Sequence, residues 1–177
     1  PSVWAWRESR AAKIGDSADR VLCLFPMEPP IYAKHAVDAR FVGHPLADAI
    51  PLEPDRFAAR HALAVPDHVP VLALLPGSRL SEIANMLPVF LDAAELIAQR
   101  IPSLQILLPA ANAQCDAAIR GHLSPRPELA ARVRVLDGDA QRAMIASDAV
   151  LLASGTAALE AMLCKRPMVV GHRIAPM

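Results

Sequence analysis

Short apolar runs alternate along the chain with longer segments of helical periodicity. The runs are apolar throughout, which is typical of strands buried on both faces of a parallel sheet. They predict strands at Val21–Phe25, Ala39–Val42, Val71–Leu75, Leu104–Leu108, Val133–Leu136, Ala149–Ala153 and Met168–Val170. The segments between them predict helices at about 54–64, 81–100, 112–122, 139–146 and 156–164. This alternation predicts an α/β fold with a Rossmann-like parallel sheet and helices on both faces.

One proline conflicts with this pattern. Pro88 falls inside the predicted helix 81–100, where a proline removes a backbone hydrogen bond and crowds the preceding turn. We therefore expect either a bend at Pro88 or a helix that starts near it.

The chain divides at a proline-rich connection near Pro51. From there one strand–helix series continues without interruption, so we predict that residues 51–177 form most of one domain and residues 1–50 the tail of a second Rossmann-like domain. Pro1 is not an initiator Met, and the chain stops shortly after a strand. We therefore expect the chain to be a piece of a longer protein.

Composition narrows the class of function. Acidic and basic residues number eighteen each, which argues against the basic face that nucleic-acid binding requires. The cysteines Cys23, Cys115 and Cys164 contain no CxxC pair, so neither a disulfide framework nor a zinc site is predicted. No His or carboxylate cluster has metal-ligand spacing, and no apolar run reaches the ~20 residues of a membrane-spanning helix.

The loop after strand 71–75 contains residues suited to phosphate. Ligands of parallel sheets bind outside the carboxyl ends of the strands. Gly77 allows close approach of the backbone, Ser78 and the N–H groups after it can face an anion, and Arg79 adds a planar, permanently charged fork. An ordinary strand–helix loop with a helix cap would explain the same residues.

The loop after strand 149–153 has similar properties. Ser154, Gly155 and Thr156 open a helix, where unpaired N–H groups and the helix dipole favour a phosphate. Glu160 follows Thr156 by four residues rather than the three of a capping box. Its carboxylate is therefore a candidate acceptor for a ribose diol, with a solvated helix-surface Glu as the alternative.

Together the two loops predict a nucleoside-diphosphate site. The sequence has no GxxxxGK[ST] motif, and no GxGxxG follows a strand, so neither an NTPase nor a dinucleotide dehydrogenase is favoured. Cationic groups and a helix N-terminus would then stabilise a diphosphate leaving group without a metal.

Six strings follow one another over essentially the whole chain: Pro1–Arg7, Phe25–Glu28, Phe41–Asp48, Leu74–Arg79, Leu152–Glu160 and Pro167–Gly171. In this order they resemble the lipid-A-disaccharide synthase family. The resemblance implies a GT-B glycosyltransferase whose active site lies between two Rossmann-like domains. It implies inverting transfer of 2,3-diacylglucosamine from its UDP derivative to 2,3-diacylglucosamine 1-phosphate, giving lipid A disaccharide 1-phosphate and UDP, with no cofactor or metal.

The resemblance also implies roles for residues of the two phosphate loops. The UDP-binding set is Ser78, Arg79, Ser154, Gly155, Thr156 and Glu160. All of these except Glu160 would meet the diphosphate, and Glu160 would bind the uridine ribose.

Other motif residues are implied to lie near the interdomain cleft. They are Phe25, Glu28, His44 and Asp48. A histidine bonded to a backbone carbonyl is the alternative for His44, and a cap of the following segment is the alternative for Asp48. The family's general base is implied to be an Asp upstream of residue 1, so the chain alone is expected to be inactive.

The N-terminal segment suggests a membrane contact. Arg7, Arg10 and Lys13 recur every three residues on a predicted helix beside Trp4 and Trp6. This pattern fits either a small basic, aromatic patch on anionic lipid or a solvated helix face. The resemblance implies a peripheral enzyme at the cytoplasmic face of the inner membrane of Gram-negative bacteria, and it leaves open whether that enzyme is a homodimer.

Two other classes of function stay open on the sequence. One is another GT-B protein that uses UDP-N-acetylglucosamine, of the peptidoglycan glycosyltransferase or 2-epimerase type. The other is a non-catalytic nucleotide-binding module whose loops are ordinary turns.

Overall fold

The computed structural model describes Val3 and residues 7–173, and it divides the chain into two compact units that meet between Ile50 and Pro51. The smaller unit contains α1 (Arg10–Gly15), β1 (Val21–Cys23), α2 (Pro29–Ala33), β2 (Ala39–Phe41) and α3 (Pro45–Ala49). Strands β1 and β2 pair in parallel, with Val21 opposite Ala39. The hydrophobic core of this unit is formed by Val3, Ala11, Cys23, Tyr32 and Val37.

The larger unit is built on a parallel sheet. Its elements are α4 (Arg56–Ala62), β3 (Val71–Leu75), α5 (Leu80–Arg100), β4 (Gln105–Ala110), α6 (Ala113–Leu123), α7 (Pro127–Ala130), β5 (Val133–Asp137), α8 (Ala140–Ala146), β6 (Ala149–Ala153), α9 (Thr156–Leu163) and β7 (Met168–Gly171). The strand order is β5-β4-β3-β6-β7, and every pair is parallel. The predicted α/β class with a parallel sheet is therefore confirmed for this unit.

The central strand β3 shows why its sequence is apolar throughout. All five of its residues are buried. Leu72 and Leu74 belong to the core formed with α5 and α6, while Ala73, on the opposite face by strand alternation, is also fully buried. Because helices cover both faces, neither face of β3 tolerates polar side chains.

The strand order places two loops side by side. The chain passes from β3 outward to β4 and β5, and then returns to the other side of β3 to form β6. Leu75 at the end of β3 lies opposite Leu152 of β6. The connections to α5 and α9 therefore leave neighbouring strands in different directions and open a crevice between them.

Three short helices, α2, α3 and α7, are absent from the sequence-based prediction. They have four or five residues each, which is too short for a helical periodicity to be seen. Each has a proline in its first turn, Pro29, Pro45 or Pro127, where the missing N–H costs nothing and the fixed φ suits a helix.

Helix α5 runs without a break from Leu80 to Arg100 and includes Pro88. The alternative in which the helix starts near Pro88 is therefore wrong, whereas a bend at Pro88 stays a prediction. A proline inside a helix costs about 3 kcal/mol. The residues of α5 that are buried against the sheet and its neighbours offset this cost; they are Ile83, Met86, Leu87, Phe90, Leu91 and Ala94.

A buried arginine connects the amino-terminal ends of β3 and β6. Arg60 of α4 is fully buried. Its guanidinium donates hydrogen bonds of 2.7–3.0 Å to the backbone carbonyls of Pro66, Asp67, Val69 and Ala146. It also donates to Asp148 Oδ2 at 2.9 Å, and the same oxygen accepts the Val71 N–H at 2.8 Å. One side chain thus satisfies carbonyl groups from two separate segments of the chain.

Removing this guanidinium should destabilise the larger unit. We expect Arg60→Ala to lower the free energy of unfolding by about 3–5 kcal/mol, because it leaves buried carbonyls and part of a carboxylate without donors. Urea denaturation followed by circular dichroism measures the loss. Arg56→Ala is the control: Arg56 pairs with the same Asp148 but is 31% exposed, so it should cost about 1 kcal/mol or less. Equal losses in the two variants would contradict this assignment.

Candidate functional site

A cavity of about 480 Å³ opens where β3, β4, β5 and β6 end. The loop after each of these strands supplies part of its wall. The lining includes Gly77–Arg79 with Glu82, Pro109–Ala111, Gly138–Ala140, and Ala153–Ala157 with Glu160. The larger unit thus brings together all six residues of the predicted UDP-binding set around one space.

The first loop already has an anion bound to it, which is the carboxylate of Glu82 in the first turn of α5. Its Oε2 accepts the N–H of Ser78 at 2.9 Å and the N–H of Arg79 at 3.3 Å, and its Oε1 accepts a hydrogen bond from Arg79 Nη1 at 2.9 Å. The backbone N–H groups expected to face a ligand anion therefore face the protein's own carboxylate. This corrects the prediction for the Ser78 backbone and leaves the Ser78 hydroxyl and the remaining Arg79 donors for a ligand.

Gly77 is required by the shape of this loop. Its φ of +128° is rarely adopted by residues with a side chain. A Cβ at this position would also overlap the Glu82 side chain. The glycine and the carboxylate therefore depend on each other.

The loop controls the ionisation of Glu82. The hydrogen bond from the Ser78 N–H lowers the pKa of this carboxyl, the Arg79 N–H and guanidinium lower it further, and partial burial opposes them. Since hydrogen bonds and a nearby cation favour the charged form, Glu82 is an anion at neutral pH.

The second loop is left open. Gly155 is the N-cap of α9 and supplies no capping side chain, whereas Asp55 caps α4 and Asn112 caps α6. Ser154, Gly155 and Thr156 are exposed. Within the described part of the chain, the first N–H groups of α9 therefore have no side-chain acceptor, and they are suited to an anionic ligand.

Glu160 lies one turn into α9 and is half-buried at the cavity wall. Within residues 7–173 its carboxylate has neither a hydrogen-bond donor nor an ion-pair partner. Because it has no such partner, the carboxylate has its oxygens available for a ligand. At the end of the same helix, burial of Cys164 and then the charge of Glu160 raise the pKa of the Cys164 thiol to about 11, so the thiol stays protonated.

A third wall was missed by sequence reasoning. Gly138 and Asp139 both adopt left-handed backbone conformations, with φ of +64° and +58°. The Gly138 N–H donates to the Ala110 carbonyl at 2.7 Å, and Asp139 Oδ2 accepts from Arg142 Nη1 at 2.6 Å. The signal was the Asp-Gly-Asp turn string after β5.

The candidates from the smaller unit are partly grouped. The ring centroids of Phe25 and His44 lie 6.0 Å apart. The buried Glu28 accepts the Phe25 N–H at 3.2 Å. His44 caps α3 by accepting the Leu46 N–H on Nδ1 at 3.2 Å, so the contact that the structure gives it is with a backbone N–H rather than with a backbone carbonyl. Asp48 is exposed inside α3 and does not cap the segment that follows.

The predicted basic patch is only partly helical. Arg10 and Lys13 belong to α1 and are exposed, but Arg7 precedes the helix, so the three charges do not share one helix face. Trp4 and Trp6 lie outside the described residues.

In the described part of the chain, no helix is long and apolar enough to cross a bilayer. In the same residues no group of three or more His, Cys, Asp or Glu side chains is arranged to hold a metal ion.

Sequence comparison connects the chain to one family. A family model described as lipid-A-disaccharide synthetase matches residues 1–177. A lipid-A-disaccharide synthase of Xylella fastidiosa is 57% identical over 177 residues, which are 100% of this chain and 46% of that protein. One from Xanthomonas campestris pv. campestris is 59% identical, over 100% of this chain and 40% of that protein. The chain thus spans less than half the length of these relatives.

Structural comparison concerns the fold alone. The chain resembles ADP-heptose lipopolysaccharide heptosyltransferase II of E. coli with a TM-score of 0.55 at 15% identity, over 96% of this chain and 67% of that one. It resembles a S. aureus TarM variant solved with UDP with a TM-score of 0.53 at 14% identity, over 92% and 32%. The GT-B-like class predicted from the sequence is confirmed by such neighbours.

The dependence of Gly77 on Glu82 can be tested by adding one methyl group. We expect Gly77→Ala to destabilise the larger unit by about 1–3 kcal/mol, because the new Cβ meets Glu82 in a strained backbone. Gly121→Ala is the matched control, since Gly121 lies in α6 with open space around it. That change should stabilise by about 0.5–1 kcal/mol. Thermal unfolding distinguishes the two, and a neutral Gly77→Ala would count against this loop geometry.

The ionisation of Glu82 predicts a dependence of stability on pH. Its folded pKa is lowered from 4.5, so its stabilisation is fully present above that value and is lost as the pH falls through the folded pKa. We expect the wild type to melt above Glu82→Gln at pH 6 and the difference to shrink towards pH 3. Melting temperatures across this range measure it. A difference independent of pH would show that the charge of Glu82 does not stabilise the fold.

Proposed function

The chain belongs to the lipid-A-disaccharide synthetase family, and from this premise we propose that its protein is an inverting glycosyltransferase. The proposed reaction transfers 2,3-diacylglucosamine from UDP-2,3-diacylglucosamine to 2,3-diacylglucosamine 1-phosphate and releases UDP. Family membership favours this reaction over a peptidoglycan glycosyltransferase, a 2-epimerase or a non-catalytic module. The supporting observation is that all six predicted UDP-binding residues line one cavity at the switch point of the sheet.

In this proposal the two loops bind the diphosphate from opposite sides. Arg79 supplies a permanent positive charge from the first loop, with the Ser78 hydroxyl beside it. From the second loop, the uncapped N-terminus of α9 offers N–H groups, and Ser154 and Thr156 offer hydroxyls. These groups stabilise the negative charge that develops on the leaving diphosphate without a metal or cofactor. The S. aureus TarM structure, a fold relative, contains UDP.

Glu160 is assigned to the ribose of the donor. An ionised carboxylate accepts hydrogen bonds, and a ribose diol offers two hydroxyl donors at a spacing that one carboxylate can accept. Glu160 has no competing partner among the described residues and lies on the same helix as the proposed phosphate site. Diphosphate and ribose are neighbours in UDP, so one helix can bind both.

The transfer itself is a single displacement. The acceptor hydroxyl oxygen attacks the anomeric carbon as the bond from that carbon to the diphosphate oxygen breaks, and the electron pair leaves with UDP. The hydroxyl proton passes to a general base, which in this proposal is an Asp of the parent protein upstream of residue 1. Residues 1–50 are assigned to the acceptor-side domain, with Phe25, Glu28, His44 and Asp48 near the cleft.

The substrates also bear on location. Both carry acyl chains, so we propose a peripheral enzyme at the cytoplasmic face of the inner membrane. The exposed Arg10 and Lys13 of α1 are available to anionic headgroups in that setting.

Calorimetric titration of UDP into the full-length protein tests the nucleotide assignment. Arg79→Ala and Glu160→Ala should each weaken binding by about tenfold or more, because each removes a charge-assisted hydrogen bond. Arg120→Ala is the control, since Arg120 is an exposed arginine paired with Asp116 outside the cavity. Unchanged affinity in both site variants would refute the assignment.

A transfer assay tests the substrate assignment. Acylated sugars should be required as donor and acceptor, and turnover of unacylated UDP-N-acetylglucosamine alone would refute the proposed substrates.

A further inference from the structure

One carboxylate of the cavity wall is not explained by contact with a donor nucleotide. Glu82 lines the cavity, yet each of its oxygens is directed to the protein. Oε2 bridges the N–H groups of Ser78 and Arg79, and Oε1 accepts from the Arg79 guanidinium. A carboxylate beside a bound diphosphate repels it, and only favourable contacts of the carboxylate with other groups can offset this repulsion. The position of Glu82 therefore requires an explanation.

These contacts immobilise the carboxylate. Two backbone N–H groups hold one oxygen, and the side chain packs where Gly77 has no Cβ. The other exposed pairs of this kind, Arg120 with Asp116 and Arg142 with Asp139, have no comparable backbone bridge at the carboxylate in the described residues. The Glu82 carboxylate is therefore held in place, and it can restrain a mobile side chain that donates a hydrogen bond to it.

The mobile side chain is that of Arg79, which is 77% exposed. A free arginine side chain has about 2 kcal/mol of rotamer entropy to lose on binding a ligand. The bond from Nη1 to Glu82 restrains the guanidinium before the ligand arrives. Because a guanidinium has five N–H donors, this contact leaves the other donors free for phosphate oxygens.

We propose that Glu82 is a positioning residue, which holds the Gly77–Arg79 backbone in shape and orients the Arg79 guanidinium towards the diphosphate of the donor. Glu82 itself does not touch the ligand. This inference rests on the proposed function, because the diphosphate is the group that Arg79 meets.

The test is a double-mutant cycle on the full-length protein with Glu82→Ala, Arg79→Ala and the double variant. Calorimetry measures the affinity of each for UDP, uridine and inorganic pyrophosphate. Glu82→Ala should weaken UDP binding about tenfold, and it should cause little further loss once Arg79 is removed. Uridine lacks the diphosphate, so its affinity should not change in any variant.

Glu82→Gln provides a second measurement, which is informative even if Glu82→Ala does not fold. The glutamine carbonyl oxygen can still accept the Ser78 and Arg79 N–H groups but lacks the charge that holds the guanidinium. Its UDP affinity should fall between those of wild type and Glu82→Ala. Asp116→Ala, which breaks an exposed Arg–Asp pair outside the cavity, is the matched control and should leave the affinity unchanged.

Several results would overturn the proposal. If Glu82 only caps α5, its removal weakens UDP binding by the same factor with and without Arg79, and uridine binding weakens too. If Glu82 competes with the ligand for Arg79, Glu82→Gln binds UDP more tightly than wild type. Unchanged UDP affinity in Glu82→Ala is equally decisive against it.

Failure of the proposed function gives a different result. If the wild type binds pyrophosphate but neither UDP nor uridine, the nucleotide assignment fails, and the cycle measured with pyrophosphate still decides the role of Glu82. If the wild type binds none of the three ligands, both the nucleotide assignment and the role of Glu82 are overturned.

Discussion

The geometry of the cavity depends on the contact between the buried Arg60 and the partly exposed Asp148. Asp148 is joined to Val71 twice, by its carboxylate to the Val71 N–H and by its own N–H to the Val71 carbonyl. This clamp aligns the starts of β3 and β6, which are far apart in the chain, and Arg60 neutralises its charge. A slip of one residue would turn every side chain of β6 to the wrong face. The loops at the other ends of these strands would then separate, and the cavity would be lost.

The loops after β3 and β6 differ in whether the protein itself supplies an anion to their N–H groups. The first satisfies its own N–H groups with Glu82 and presents a restrained Arg79. The second leaves the N-terminus of α9 uncapped and presents backbone N–H groups. A leaving group that gains charge during the reaction is stabilised best by groups that are already in place, since no reorganisation is then needed. In the proposed reaction, a cation restrained by Glu82 on one side and a helix end on the other would meet this requirement.

Most of the fold of the larger unit and six of the residues that line the cavity could be predicted, for identifiable reasons. Runs such as Val71–Leu75 are apolar because both faces are covered, and parallel strands bring their carboxyl ends to one edge. The role of Glu82 was missed because its N-cap partner is Arg79 rather than Ser, Thr, Asp or Asn, so the capping-box pattern did not match. Gly138 and Asp139 were missed because a turn string does not reveal which cavity it borders.

The sequence by itself determined the class of fold, the family and the two loops proposed to bind the nucleotide, because these follow from local patterns and from the order of motifs along the chain. Only the tertiary structure decided which groups are free to act. It showed that the N–H groups of Ser78 and Arg79 are occupied and that those at Gly155 have no capping side chain. Glu82 lies only three and four residues from these N–H groups, but the pairing depends on the backbone turn at Gly77, where φ is +128°, and residue types alone do not specify that turn. Which loops share one cavity is set by the strand order of the sheet, which no local pattern encodes.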